Sequence, residues 1–449
     1  MQKWQSLAVL MALCILGAPR ASAQLTIIEG ATVITGDAAT PIPDAVLVID
    51  GSRIRQITKR AGFRPPANAK TINAQGKTII PGLMTLHGHL GRTEGLEANE
   101  EFLNRARIQR DANEYLYYGI TQMLSIGHDR EAVFAFMADQ RAGKVTGARV
   151  YTAGLGFGVK GGWPANPYVH RPTTPEEARV MTRAELAKHP HLLKVWVDDR
   201  LGHAPQFTPD LYGPIIEEAR KAGVKVAAHI YYLDDAKELL RRGISALAHS
   251  VQDREVDDEF LQLAKQNHIT QVTTLAGIRR PADYADAPAF LSDPGLPLFF
   301  SAKTLDTFRS KEYHDGLGKE NDLDLIRQQG AMAAKNAKKI AAAGIPLAVG
   351  TDSGLIGNFA GLWEHRELAL LVEAGITPIQ AIQAATINPA RFLGIDRDYG
   401  SIAAGKVADF LVLNADPLAD IRNSLRIETI WMNGKPVDRS ALAAVHPSQ

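Results

Sequence analysis

The chain has 449 residues, 45% of them hydrophobic and 22% charged, so it can bury a large core with a satellite unit and is too apolar for wholesale disorder. Fifty basic and 49 acidic residues give a formal net charge of +1 without a long run of either sign, which gives no basis for capture of nucleic acid or of anionic membranes. One cysteine excludes a disulfide framework.

Residues 1–23 carry Lys3, an apolar stretch from Leu7 to Gly17, and Ala21-Ser22-Ala23 before Gln24, the pattern of a cleaved secretory signal. The stretch is short for a bilayer span, and Leu13 before Cys14 is bulkier than a lipidation site would want. The expected product is exported, periplasmic or extracellular, with no membrane attachment after cleavage. Loss of Lys3 and Arg20 leaves 48 basic against 49 acidic residues, and the only cysteine goes with them. Metal ligands in the mature chain would then be histidine, carboxylate or a modified lysine.

Residues 25–75 alternate apolar and polar side chains, with turn signals at Gly30, Gly36, Asp50-Gly51 and Asn73. Residues 400–438 do the same around Gly405-Lys406 and Asn433-Gly434. Together they predict one small β-sandwich domain formed from 24–78 and 396–449. Between them, β-prone runs at Ile79–Leu86, Ile120–Ile126, Arg149–Ala153, Leu192–Val197, Lys225–Ile230, Ala246–Ser250, Ile269–Thr274 and Pro346–Thr351 alternate with helical ones. The helical runs include Ala98–Tyr118, Pro175–Lys188, Pro209–Ala222, Asp234–Arg242, Asp257–Gln266 and Leu323–Ala343. Eight such units in about 300 residues predict an α/β fold, a (β/α)8 TIM barrel over 79–395. A doubly wound sheet would normally carry a phosphate-binding glycine fingerprint, and Gly154-Leu-Gly-Phe-Gly158 lacks the helix that must follow. The segment Gly277–Asp322 shows no clear period and, lying after the seventh strand, is a candidate lid.

The chemistry gathers at strand ends. His87 and His89 leave the end of the first strand on one side, because strand side chains alternate faces, and two neutral imidazoles there can chelate a divalent metal. Lys194, His229, His249 and Asp352 are polar groups in or ending apolar strands four, five, six and eight. Taken singly, each has an ordinary reading: a rim histidine, a packed lysine stem, a turn-capping aspartate. Five strands supplying ligand-type residues at matching ends argue for a shared metal site.

These motifs, with the entry Ala74-Gln-Gly-Lys-Thr-Ile-Ile-Pro-Gly-Leu83 and the exit Asn388-Pro-Ala-Arg-Phe-Leu-Gly394 through Gly400 to Asp409, resemble the metal-dependent amidohydrolase superfamily. The nearest branch is imidazolonepropionase-like and Xaa-Pro dipeptidase-like. Thr85 stands where many members begin the first motif with Asp, a position that is not normally a ligand. The resemblance implies that His87, His89 and Asp352 hold one metal, His229 and His249 a second, and a carboxylated Lys194 bridges them, the expected metal being zinc, two per chain. It also implies hydrolysis of an amide-type C–N bond by a metal-bridging hydroxide, with Asp352 as proton shuttle and Tyr231 on the oxyanion. A single ion on His87, His89, His229 and Asp352 is the alternative if Lys194 is unmodified.

Members that deaminate place a glutamate soon after the strand-five histidine, and His229-Ile-Tyr-Tyr-Leu-Asp234 has none. An esterase or lactonase would share the same site, and a catalytically silent binding protein is disfavoured by the complete ligand set. Lys160 and Trp163 are expected at the mouth, whereas His170, His365 and Arg366 read better as solvated surface. The expected partner is a small molecule, a dipeptide, N-acyl amino acid or cyclic amide, and a homo-oligomer is compatible with the sequence.

Overall fold

A computed structural model describes residues 24–286 and 289–443, so the expected signal segment 1–23 lies outside the described residues. Strands from both ends of the chain meet in one sheet: Thr26–Val33, Ile42–Asp50, Arg53–Lys59, Lys70–Asn73 and Thr78–Pro81 with Phe410–Leu413, Ile427–Met432 and Lys435–Pro436. The seam is antiparallel, with Phe410 opposite Pro81 and Leu413 opposite Thr78. Asp50-Gly51 and Asn433-Gly434 sit in its hairpin turns, where Gly51, Asn433 and Gly434 adopt the left-handed backbone that such turns demand. Ile28, Leu47, Phe410 and Trp431 share one apolar cluster, so residues distant in sequence bury one another's faces.

The first expected inner strand proves to be two. Thr78–Pro81 belongs to the terminal sheet, and Leu83–Gly88 begins the parallel set. Gly82 separates them where a Cβ would lie 2.4 Å from the Thr121 hydroxyl oxygen, so only glycine lets the chain pass from one sheet to the other.

The parallel strands are β1 (Leu83–Gly88), β2 (Ile120–Ser125), β3 (Arg149–Thr152), β4 (Leu192–Trp196), β5 (Lys225–His229), β6 (Ala246–Ala248), β7 (Thr270–Val272) and β8 (Leu347–Ala348). They pair in sequence order as an arc β1-β2-β3 and an arc β4 through β8. Parallel bridges Phe157 to Val195 and Gly88 to Ser353 join the arcs at both margins. Leu86, Leu124, Ala153, Leu192, Ala227, Ala246, Val272 and Ala348 form one buried cluster with a member at each strand. Lys194 lies two residues beyond Leu192, and His229 two beyond Ala227. Both therefore share the face of those apolar residues at its carboxyl-terminal edge.

Helices between the strands start where the sequence caps them. Thr174 accepts from Glu177 N–H, Asp257 from Phe260 N–H and Asp322 from Leu325 N–H. The expected helix Ala98–Tyr118 instead starts at Arg105. Asn99 and Asn104 each cap a new turn through their side chains, which breaks the run, and a small hairpin of Thr93–Glu94 with Glu97–Ala98 precedes it. The aperiodic segment after β7 is helical: Leu275–Ala285, Ala302–Arg309 and Lys311–Glu320 with two short 3-10 turns. Its helices are too short for a period to show. Aromatic contacts anchor it, with Phe290 4.7 Å and Tyr284 6.2 Å from the Trp363 ring.

Candidate metal centre

His87, His89 and Asp352 offer ligand atoms that all lie within 4.8 Å of one another. Asp352 Oδ1 lies 2.7 Å from His87 Nε2 and 3.3 Å from His89 Nε2, and its Oδ2 lies 4.0 Å from His249 Nε2. The His87 ring is 4.8 Å from that of His249, which is 4.3 Å from that of His229. Five of the six residues expected in the site are thereby one contiguous cluster.

The sixth, Lys194, is fully buried, and its Nζ has no hydrogen-bond partner. Burial drives its pKa down to about 7, with Asp352 opposing the shift, so the amine is uncharged in a large fraction of molecules near neutrality. Its Nζ lies over the Trp196 ring at 5.6 Å. Burial likewise drives His87 to about 3 and His249 well below the usual imidazole range, so both rings are neutral at working pH. Burial alone would raise Asp352, but the surrounding histidines and their hydrogen bonds outweigh it and the carboxylate stays ionised. A cluster of neutral imidazoles around one carboxylate, with His87 Nδ1, His89 Nδ1, His249 Nε2 and Lys194 Nζ all buried and without a protein partner, is a donor set suited to a divalent cation.

The backbone is bent to make this site. His249 has φ 81°, Asp352 φ 56° and Thr274 φ 51°, left-handed conformations that cost non-glycine residues about 1–2 kcal/mol each. In β1 the register shifts between Thr85 and Gly88, so that Leu86 joins the apolar cluster while its neighbour His87 meets Asp352. Gly354, at φ 86°, packs against the His89 carbonyl where a Cβ would come within 2.1 Å.

Two participants were not anticipated. Asp198 accepts from His229 Nε2 at 2.9 Å and from Arg200 N–H at 2.7 Å. These contacts outweigh its burial and hold its pKa below the usual carboxylate range. His128 is buried with its ring 5.3 Å from His89 and 5.0 Å from Trp196, and its Nδ1 lies 2.6 Å from Asn166 Nδ2. Asp198 and His128 each follow a strand by two or three residues, the one signal that could have flagged them.

Other expected site residues fare differently. Tyr231 is partly buried and its hydroxyl accepts from Gln329 Nε2 at 2.9 Å. Lys160 and Trp163 are exposed, with the Arg200 guanidinium 4.6 Å over the Trp163 ring. His365 is not surface at all: it is 3% exposed, its Nδ1 2.7 Å from Ser424 Oγ and its Nε2 2.7 Å from the Tyr118 carbonyl. His170 is half-buried against Glu185 at 3.0 Å and stacked on Phe157, and Arg366 pairs with Asp283 at 3.2 Å. Loop position misplaced His365, because the helix Leu362–Glu373 turns it inward, while His170 and Arg366 remain partly exposed.

Comparison with known proteins agrees with this chemistry. A model described as the amidohydrolase family matches residues 78–437. An ochratoxinase from Aspergillus niger is 27% identical over 461 residues, covering 92% of this chain and 86% of that protein. An imidazolonepropionase from Deinococcus deserti is 34% identical over 110 residues, 24% of this chain and 27% of that protein. A crystal structure of a Xaa-Pro dipeptidase with bound methionine in the active site superposes with a TM-score of 0.74 at 22% identity, covering 92% of this chain and all of that one.

Proposed function

The chain belongs to the amidohydrolase family, whose relatives here are hydrolases acting on carbon–nitrogen bonds, and we propose that it hydrolyses an amide-type C–N bond in a small molecule at the His87–Asp352 cluster. The observation that carries this reading is the convergence of His87, His89 and Asp352 within 4.8 Å beside buried, unpartnered His249 Nε2 and Lys194 Nζ. Those atoms fit divalent metal ions, and two zinc ions are the proposed complement. His87, His89 and Asp352 would hold one and His229 and His249 the other.

Lys194 would bridge them as a carbamate. An amine with a substantial neutral fraction near pH 7 can add to carbon dioxide, forming an N–C bond and releasing one proton, and it gains two oxygens and a negative charge. When bound, the metal supplies a Lewis acid that polarises the substrate carbonyl and makes a water acidic near neutrality. Asp352 takes the proton of the attacking water and delivers it to the departing nitrogen. Because Gln329 donates to the Tyr231 oxygen, the Tyr231 hydroxyl hydrogen is left to donate to the developing oxyanion. The exposed Trp163 and Lys160 stand beyond this centre as candidate mouth residues.

In the same reading the two arcs of parallel strands close as a (β/α)8 barrel over 79–395. The terminal sheet folds into a small sandwich formed from 24–78 and 396–449. Export rests on the pattern of residues 1–23, and sequencing the amino terminus of protein recovered outside the cytoplasm tests it. No helix among the described residues is long and apolar enough to cross a membrane. The substrate class is a dipeptide, an N-acyl amino acid or a cyclic amide.

The deciding experiment is a metal assay joined to a panel of these amides and matched esters. Turnover abolished by a chelator and restored by zinc is the expected result. A full metal complement with no turnover on any amide would sink the proposal.

A further inference from the structure

The helix Leu362–Glu373 carries two buried carboxylates, Glu364 and Glu367, 1% and 0% exposed. Three residues apart, they leave the helix on one side. Their partners are hydroxyls and backbone N–H groups rather than cations. Glu367 accepts from the Thr273 hydroxyl, from Leu275 N–H at 2.9 Å and from Ala276 N–H at 2.7 Å. These donors bracket Thr274, which stands in the left-handed region and whose Oγ1 lies 2.6 Å from His249 Nδ1. Glu364 accepts from the Thr351 hydroxyl at 2.8 Å, the Ser353 hydroxyl at 2.7 Å and Gly361 N–H at 2.8 Å. The two hydroxyls bracket Asp352, also left-handed.

One construction thus occurs twice. A carboxylate grips the neighbours of a left-handed residue at the end of a strand, and that residue is itself a site member or touches one. Apolar side chains would fill the same space without the cost of burying two carboxylates, so packing does not explain the pair. A partner held in a fixed place orients the ring and aims its other nitrogen, and the Thr274 hydroxyl oxygen, 2.6 Å from Nδ1, can accept an Nδ1–H.

We propose that Glu367 and Glu364 are positioning residues for the metal centre. Glu367, through Thr274, keeps the His249 proton on Nδ1 and its bare Nε2 toward Asp352, and Glu364, through Thr351 and Ser353, fixes the Asp352 carboxylate. The part of this inference that concerns metal affinity rests on the proposed function; the tautomer of His249 does not.

Two readouts test it on the full mature chain. The first is the tautomer of His249 in metal-free protein by 15N histidine NMR, its signal assigned with His249→Asn. The second is Co2+ affinity by calorimetry. The wild type is expected to show His249 in the Nδ1–H form. Glu367→Gln and Thr274→Val are expected to mix the tautomers and weaken Co2+ binding about 10- to 100-fold, with Thr274→Ser close to wild type. Glu364→Gln is expected to weaken Co2+ binding similarly while leaving the His249 tautomer unchanged. A folded Glu367→Gln with an unchanged tautomer and an affinity within twofold of wild type overturns the proposal. If that variant does not fold, the same result in Thr274→Val overturns it. A wild type that binds no divalent metal sinks the functional reading, and the tautomer readout still decides the positioning role.

Discussion

Lys194 and Glu367 are both fully buried ionisable groups, yet burial acts on them with opposite sign. It pushes the lysine down to about 7 and the glutamate up to about 7, since in each case the charged form is the one that loses its water. For Glu367 the folded state holds its proton more tightly than the unfolded chain, whose pKa is near 4.5. Stability is therefore unaffected below that value, falls as pH rises from 4.5 to 7, and carries the full penalty, on the order of 3 kcal/mol, above 7. Glu367→Gln removes the ionisation, while the opposite contribution of the buried histidines is common to both proteins. The wild-type urea midpoint should therefore fall relative to that of the variant as pH rises from about 4.5 to 8. Lys194→Ala should lose turnover and regain part of it with a short-chain carboxylic acid, which would stand in for the oxygens of the proposed carbamate. Asp352→Asn should lower kcat by about 10²- to 10⁴-fold with folding intact. Near-normal turnover at full metal content would remove Asp352 from the proton path.

At the scale of elements, the caps and turns were legible because they are local. Thr174, Asp257, Asp322, Asp50-Gly51 and Asn433-Gly434 act on backbone groups a few residues away, and the structure uses each of them as its residue type suggests. The division at Gly82 was not legible. Nothing in Thr78 to Gly88 announces that the run changes sheets, because the reason is a hydroxyl on Thr121. Gly82→Ala should therefore destabilise the fold by about 1–3 kcal/mol, and Thr121→Ala in the same chain should recover part of the loss, as thermal melts of the double variant would show. The helical segment after β7 escaped for a related reason. Its short helices are held by rings on other elements, Trp363 and Phe359 among them.

Across the whole molecule, the terminal sheet is fastened to the parallel strands by Arg149 of β3. Its guanidinium pairs with Asp409, which is 7% exposed, and hydrogen-bonds Asn433 Oδ1 at 2.7 Å. Asp409→Ala would strand a largely buried guanidinium, and a loss of about 3 kcal/mol in denaturant unfolding is expected. Removing metal should also act globally, since a ligand bound only by the folded state raises its stability through mass action. A melting temperature that drops on chelation and returns with zinc is the expected outcome.

By itself, the sequence determined which residue types end which strands, and so named His87, His89, Lys194, His229, His249 and Asp352 together with the alternation of strands and helices. Alternation of faces and hydrophobic burial are properties of neighbours along the chain, and they can be read there. Only the tertiary structure decided that Asp198 reaches His229, that the His128 ring meets that of His89 edge-on, that His365 is buried, and that Glu364 and Glu367 grip the turns around Asp352 and Thr274. Those contacts join residues far apart in sequence, where the energy of a buried polar group is set by whatever the fold brings against it.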